Sequence, residues 1–249
     1  MPKHWDQDFD FYMARIDNAR AAFLLDLAAR RHAPVATHPV RLQVRVKMRN
    51  PREDGLRSAE EADALFALED KLTAFLESTS DAIYVGRYVH AGCTEYVFYL
   101  PDGSSEALPS SEDTAPYALQ WYSARDESWA QYREFLYPDP YAHQAIWNRR
   151  LMRQRAEHAD RPEVVREVDH FVYFSNLEAV EKASPQLAAL GYRLDEPSPP
   201  NEGNNAWGLQ FHRDDALDGD KPDAFVSEIL DVILPLGGDY DGWGAVIEK

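Results

Sequence analysis

The chain offers few residues whose types and spacing suit catalysis. Cys93 and His90 are three residues apart, as a thiol and its base can be, but both lie where a hairpin turn is predicted. A lone cysteine in such a place is more often a small apolar side chain than a nucleophile. Asp169 and His170 are neighbours on a predicted strand, so their side chains point to opposite faces. We therefore expect no catalytic residues and no enzymatic activity.

The sequence motifs also favour neither a metal nor a cofactor. His143 and His158 do not have the spacing of two metal ligands on one helix face. The carboxylate-rich stretch 214–223 lacks the regular oxygen ligands and the closing glutamate of an EF-hand, so a solvated acidic loop is the better interpretation. The glycine-rich phosphate loops and the serine-hydrolase motif are absent.

The composition is that of an acidic globular protein. The 249 residues are 45% hydrophobic and 28% charged, with a formal net charge of −17. Such a surface repels phosphates, so we expect no direct nucleic-acid binding and favour a basic protein partner. The stretch 161–249 is the most acidic part, with 7 Lys+Arg against 18 Asp+Glu, a net of −11. The alternative explanation of this charge is solubility.

Nothing in the sequence predicts export or a membrane span. The first ten residues contain Trp5 and three aspartates but no apolar signal segment. No run of about 18 apolar residues is present. The single cysteine, Cys93, excludes an internal disulfide. We expect a cytoplasmic protein without a membrane partner, and a homo-oligomer stays open.

Residues 1–140 are predicted to form a helix-on-sheet α+β domain. Ser58 begins a helix and Glu61 completes a capping box, and Asp126 caps a second, short helix. The stretch 1–20 is an edge strand or a lead-in segment. Five further segments have strand composition or alternation; they are 21–28, 41–49, 83–90, 95–100 and 117–124.

One predicted strand, 41–49, carries a line of cations on the face opposite its apolar residues. With a cation from a neighbouring strand, this line is a candidate site for a small anion. The five residues are Arg41, Arg45, Lys47, Arg49 and Arg87. The alternative is that they pair with helix carboxylates. The second functional hypothesis is therefore a small-anion-binding or enzymatic N-terminal domain, with the C-terminal domain as a structural or oligomerising module.

The rest of the chain is predicted to be a connecting helix, 141–160, and a second α+β domain, 161–249. The connecting helix is basic, with arginines that are solvated or paired with acidic neighbours. The second domain has the order β-α-β-β-α-β of a ferredoxin-like fold with an antiparallel sheet. We expect its terminal strand at a sheet edge, beside the strand that follows the first helix. The predicted strands are 164–174, 191–195, 206–212 and the end of the chain, and the helices are 177–190 and 222–233.

Three motifs in the second domain resemble the bacterial family called regulator of ribonuclease E activity B. They are VREVDHFVYF at 165–174, LGY at 190–192 and GGDYDGWG at 237–244. The resemblance covers about residues 144–249 and implies a ferredoxin-like, non-catalytic protein that binds ribonuclease E and restrains RNA cleavage. Residues 1–140 resemble a bacterial domain family of unknown function that often precedes such a module, which implies no mechanism.

The candidate protein-binding residues lie on the predicted strands of the second domain. They are Asp169, Trp207, Asp239, Asp241 and Trp243. An exposed tryptophan rimmed by carboxylates suits a basic partner segment. In the alternative, the aspartates stabilise a turn and Trp243 fills the core. We expect an acidic two-domain regulator that occludes a basic protein, by resemblance an endoribonuclease.

Overall fold

The computed structural model describes residues 4–104, 108–201 and 203–249. The chain is mixed α/β with antiparallel sheets, and it divides into two compact units, Met1–Ala142 and His143–Lys249. Within the described ranges, no helix is both long enough and apolar enough to cross a membrane.

The first unit is built on a six-stranded antiparallel sheet in the order β1-β2-β4-β5-β3-β6. Its strands are β1 (Phe9–Ile16), β2 (Ala19–Asp26), β3 (Val40–Lys47), β4 (Ile83–His90), β5 (Cys93–Leu100) and β6 (Leu119–Arg125). Its helices are α1 (Ala59–Ser80) and the short α2 (Ser111–Thr114), with a 3₁₀ turn at Leu27–Arg31 and a π-helical turn at Gln131–Leu136. The predicted strand over 21–28 is confirmed, and part of 1–20 forms the edge strand β1.

Helix α1 covers one face of this sheet. The alternation predicted along β3 is confirmed, because Leu42, Val44 and Val46 are fully buried while Arg45 and Lys47 are exposed. The buried residues of β3 pack against the leucines that recur at helical spacing along α1. These are Leu65, Leu68, Leu72 and Leu76.

The opposite face of the sheet is covered by the segment that follows β6. Asp126 accepts hydrogen bonds from the backbone N–H groups of Ala130 (2.8 Å) and Gln131 (3.1 Å). It therefore stabilises the start of the predicted short helix, although the cap position of the π-helical turn is Ala130 rather than Asp126. The buried Trp129 stacks on Tyr99 of β5 with ring centroids 3.9 Å apart. The central strands β4 and β5 are therefore buried on both faces, which explains why they are apolar along most of their length.

The capping box predicted at the start of α1 is only half correct. Ser58 Oγ accepts a hydrogen bond from the N–H of Glu61 (3.3 Å), as expected. The Glu61 carboxylate instead accepts from the N–H groups of Arg49 (2.7 Å) and Asn50 (2.8 Å) and from the Tyr117 hydroxyl (2.9 Å). Burial opposes ionisation, but these hydrogen bonds hold the pKa of Glu61 below its ordinary value. The Glu61 carboxylate therefore binds the backbone of the loop that follows β3.

The predicted hairpin between β4 and β5 is confirmed with a shorter turn than expected. Only Ala91 and Gly92 form the loop, and both have positive φ (49° and 75°), as two-residue hairpins of this type require. Gly86, at a bulge in β4, has φ of +144°, and a Cβ there would lie 2.3 Å from the carbonyl oxygen of Leu24. Only glycine allows β2 and β4 to approach each other at this position.

The second unit is built on a four-stranded antiparallel sheet in the order β10-β7-β9-β8. Its strands are β7 (Arg166–Phe174), β8 (Arg193–Leu194), β9 (Trp207–Asp215) and β10 (Asp239–Ala245). Its helices are α4 (Leu177–Ala189) and α5 (Lys221–Ile233), followed by a 3₁₀ turn at Leu234–Leu236, and most of α3 (Pro140–Glu157) also belongs to this unit.

The terminal strand β10 lies at a sheet edge, as expected, but its predicted neighbour was wrong. It pairs with β7, with Trp243 opposite His170, whereas β8 lies at the other edge and pairs with β9. The physical reason is length: β8 has two residues and cannot satisfy the backbone of a seven-residue strand, while β7 has nine.

A buried ion network ties the end of the chain to α3. The Asp160 carboxylate accepts hydrogen bonds from Arg155 Nε (2.7 Å), Arg166 (2.5 Å) and the N–H of Glu248 (2.8 Å). Burial alone would raise the pKa of Asp160, but these hydrogen bonds lower it to about 2. Arg155 also donates to the carbonyl oxygens of Ala245 and Val246, both at 2.7 Å. At least this arginine of the basic helix is therefore buried and paired.

Candidate protein-binding face

The sheet of the second unit has one covered face and one open face. Along β7, buried residues alternate with exposed or half-buried ones. The residues that face the helices are Val168, His170, Val172 and Phe174, and those on the opposite face are Glu167, Asp169, Phe171 and Tyr173. The open face is defined as the surface formed by this second set and by its register partners on β8, β9 and β10.

Two aromatic side chains lie at the centre of the open face. Phe171 of β7 is 37% exposed, although it stands on a central strand. Tyr173 lies beside Gly208 of β9, where an added Cβ would be 3.5 Å from the ring. No heavy atom lies within 4 Å of where a Cβ would be at Gly242 or Gly244. Phe171 is therefore exposed and Tyr173 half-buried on the open face, with Gly208 packed against the Tyr173 ring.

A shallow cleft adjoins this aromatic pair. Its volume is about 280 Å³, and its floor is formed by β7 and β9. The loop before β9 supplies the other wall, with Ser198, Pro199, Asn201 and Asn204 among the lining residues. Backbone and amide groups on this wall can bind a peptide segment that packs on the aromatic pair.

Carboxylates surround the aromatic pair on the open face. Glu167, Asp169 and Asp214 are on the two central strands, and Asp239 pairs in register with Tyr173 at the start of β10. The charge is partly offset by Arg193, which lies 3.0 Å from Glu167 and 3.2 Å from Asp214. The carboxylates still outnumber the cations, so the open face attracts positively charged groups.

Three of the five predicted binding residues are accessible, but both tryptophans face the helices. Asp169 and Asp239 lie on the open face, and Asp241 is exposed at a bulge in β10. Trp243 is 9% exposed, and its indole N–H donates to Asn148 Oδ1 of α3 at 2.8 Å. Trp207 is half-buried and packs against the same core. Of the two alternatives, the one in which Trp243 fills the core therefore holds, and neither tryptophan is an exposed anchor.

The bulge in β10 explains the orientation of Trp243. Tyr240 pairs with Val172, and Gly242 pairs with the next residue of β7, so Asp241 is the extra residue. In a regular strand, the residue three positions after Tyr240 would point to the opposite face. The extra residue reverses this, so Trp243 points inward as Tyr240 does, and both aromatic side chains enter the core. The bulge also leaves the Asp241 carboxylate in solvent.

The sequence patterns did not single out Phe171 and Tyr173, which the structure adds as candidate binding residues. The signal was available, because the alternation that separates Asp169 from His170 also places both aromatic residues on the same side as Asp169.

His170 is confirmed to lie on the opposite face from Asp169, and it is fully buried. Its Nδ1 is 2.8 Å from the Tyr240 hydroxyl. Burial, with a smaller effect of the positive charge on Arg213, lowers the pKa of His170 to about 3, so the imidazole is neutral. Its contacts are those of a core residue.

The five predicted anion-binding cations do not form one site. Arg87 pairs in register with Tyr96, which pairs with the buried Val44, so it faces α1 and forms an ion pair there with Glu69. Arg45 is on the other face of the sheet, 3.3 Å from the Cys93 sulfur.

The other cations of this set also contact neighbouring side chains or lie apart from one another. Arg41 donates to Gln131 Oε1 (2.8 Å), and its guanidinium lies over the Tyr122 ring. Lys47 is exposed at the end of β3, and Arg49 lies beyond it. The alternative of pairing with a helix carboxylate holds for Arg87.

Among the residues that the structure describes, one group of metal-ligating side chains converges, and it lies in the first unit. One ligand atom each from His4, His38 and Asp81 lies within 4.8 Å of the others. None of the three was singled out by the sequence, because they come from three distant segments.

An antiparallel sheet with helices on one face and exposed aromatic and acidic groups on the other defines a candidate protein-binding module. The chain belongs to the Family of unknown function (DUF695), whose model matches residues 7–137. Residues 145–245 match the model of Regulator of ribonuclease activity B. Both resemblances seen in the sequence are confirmed.

Relatives of the second unit carry the same name in several bacteria. The Regulator of ribonuclease activity B of Pantoea ananatis is 26% identical over 102 residues, which are 40% of this chain and 73% of that protein. That of Escherichia coli is 25% identical over 113 residues, 45% of this chain and 82% of the relative. A crystal structure of an unknown protein from Galdieria sulphuraria covers 84% of this chain and 99% of its own, at 14% identity and a TM-score of 0.22.

Proposed function

We propose that this chain is a non-catalytic, cytoplasmic regulator that binds a ribonuclease E-type endoribonuclease and restrains RNA cleavage. The observation that carries the proposal is the open face, where Phe171 and Tyr173 are accessible among carboxylates. The target class is supported by the relatives of the second unit, which are named regulators of ribonuclease activity. RNA itself is not the ligand in this proposal, because the acidic surface repels phosphates.

The proposal also includes a ferredoxin-like fold and a division of labour along the chain. The support for the fold is the order β-α-β-β-α-β, with the first and third strands central and the fourth beside the first. We assign 1–140 and 161–249 as the two modules and 141–160 as the basic helix that links them. Binding of the ribonuclease is assigned to the second module.

The proposed mechanism is occlusion of a basic segment of the ribonuclease. Phe171 and Tyr173 supply the apolar area that is buried on binding, and Asp169, Asp239 and Asp241 attract the lysines and arginines of the partner. Aromatic anchors contribute most of the affinity in such interfaces, while the surrounding charges set the association rate and the orientation. Partner residues that are held on the open face are no longer free to position RNA.

The first test is the affinity of the full chain for a purified ribonuclease E-type enzyme. We expect Phe171→Ala to weaken binding by about 10-fold or more, as loss of a central aromatic anchor does. Phe66→Ala is the matched control, because Phe66 is 40% exposed and lies on α1 of the first unit. Equal affinities of the two variants, measured by calorimetry, would exclude the open face as the binding surface.

The second test separates the charges from the aromatic pair. We expect Asp169→Asn combined with Asp239→Asn to slow association and to reduce the dependence of affinity on salt. Surface plasmon resonance at low and high salt measures both quantities. Binding by the unmodified chain that does not weaken with salt would contradict the electrostatic part of the mechanism.

A further inference from the structure

Two histidines and an aspartate from distant segments meet in the first unit. His4 precedes β1, His38 lies shortly before β3, and Asp81 is the residue that ends α1. Nε2 of His4 is 3.7 Å from Oδ1 of Asp81, and Nε2 of His38 is 3.9 Å from Oδ2. The two imidazole rings are 4.9 Å apart, centroid to centroid. Two imidazoles and one carboxylate are a donor set that suits divalent transition metals.

The two histidines are held in place by buried contacts of neighbouring groups. The carbonyl oxygen of His38 accepts a hydrogen bond from the indole N–H of the fully buried Trp129 (2.9 Å). Next to His4, the indole N–H of Trp5 donates to Asp26 Oδ2 at 2.7 Å. Asp26 is itself fully buried. The core therefore anchors both segments that carry the imidazoles.

His38 has the surroundings of a metal-ligating histidine. Its side chain is 2% exposed, so the imidazole is enclosed by the first unit. Nδ1 is 2.9 Å from the Thr37 hydroxyl, and Nε2 is 2.8 Å from the carbonyl oxygen of Asp81. The hydroxyl can accept a hydrogen bond from Nδ1–H, which leaves the Nε2 lone pair for a metal. Binding then replaces the Nε2–H bond to the carbonyl, and the ring proton moves to Nδ1.

The cluster opens onto a cleft. His4 and Asp81 line a cavity of about 440 Å³ together with Trp5, Gln7 and Tyr84. Three protein ligands do not complete the coordination of a divalent transition metal, and sites of this kind keep positions open for water or a substrate oxygen. We propose that His4, His38 and Asp81 bind a divalent first-row transition-metal ion such as Zn²⁺, with its open coordination positions directed into this cleft.

The proposal is tested by titrating the chelator-treated full chain with Zn²⁺ in a calorimeter. We expect one equivalent to bind, and His4→Gln and Asp81→Asn each to weaken binding by about 10-fold or more, as loss of a ligand does. Both variants should fold, because His4 is exposed and asparagine tolerates the left-handed φ of 51° found at Asp81. His158→Gln, at an exposed histidine of the second unit, is the matched control and should leave the affinity unchanged.

Cobalt provides a spectroscopic readout of the same site. Co²⁺ bound by two imidazoles and a carboxylate should give a visible ligand-field spectrum that is lost in His4→Gln and kept in His158→Gln. Absence of stoichiometric Zn²⁺ binding, or unchanged affinity in both ligand variants, would overturn the proposal. Because the site lies in the first unit, either result leaves the ribonuclease-binding test on Phe171 unaffected.

Discussion

Replacement of Asp160 by asparagine removes the one negative charge at the centre of the network that holds the end of the chain to α3. The Asp160 side chain is 1% exposed and lies between the guanidinium groups of Arg155 and Arg166, which are 6% and 4% exposed. Asparagine has nearly the same shape but cannot neutralise two buried cations. The variant therefore tests how much the charge contributes to stability, with little change in packing.

The size of the effect follows from the pKa of Asp160. The value of about 2 lies below the ordinary 3.8, and each unit is worth about 1.4 kcal/mol, so the ionised form contributes about 2 kcal/mol at neutral pH. Removing one member of a buried ion pair typically costs about 3–5 kcal/mol, because the other charge is left uncompensated. We therefore expect Asp160→Asn to lower the free energy of unfolding of the second unit by about 2–4 kcal/mol.

The effect should depend on pH in one direction. Since the folded pKa is depressed, the stabilisation is fully present above the unfolded pKa of 3.8 and is lost as pH falls through about 2. The difference between the unmodified chain and the variant should fall to about half by about pH 3.

Urea denaturation followed by circular dichroism, at neutral and acid pH, measures this difference. Asp218→Asn is the matched control, because Asp218 makes an exposed pair with Lys221 in the same unit and should change stability little. A variant as stable as the unmodified chain at neutral pH, or a difference that does not shrink in acid, would refute the reasoning.

Two further substitutions, one in each unit, test packing by urea denaturation. Asn148→Ala removes the acceptor of the Trp243 indole N–H and should cost about 1–3 kcal/mol, the penalty for a buried donor without a partner. Gly86→Ala should destabilise the first unit severely, since its Cβ would collide with the backbone of Leu24, whereas Gly219→Ala, with positive φ but free space, should be mild. Comparable losses at the two glycines would contradict the close approach of β2 and β4.

Local pattern predicted the elements well because their causes are local. The alternation along 41–49 and the helical spacing after Ser58 each reflect a face that must be buried, and both elements formed as expected. The partner of Glu61 could not be predicted in the same way. Its carboxylate binds a loop and the distant Tyr117, and only the folded sheet brings those donors to it.

The candidate binding face was predicted in part, for a physical reason that is specific to β10. Alternation places Asp169 correctly, and it also contains the information that Phe171 shares its face. The direction of Trp243 depends on one bulged residue, which shifts every later side chain to the other face. A bulge in an edge strand leaves no clear composition signal, so the exposed and buried residues of GGDYDGWG cannot be separated from the sequence alone.

The glycines of β10 show how one motif serves both folding and binding. A Cβ at Gly238 would lie 2.7 Å from the Phe174 ring and 2.8 Å from Ile233, so this position is required for close packing of the strand on the core. Gly242 and Gly244 have no such neighbour, and packing does not explain Gly244, whose φ is ordinary. Gly244 lies opposite Asp169 on the open face, where an added Cβ would meet no neighbour. The part of the motif that faces the helices is thus explained by packing, and the other part lies on the face proposed to bind a partner.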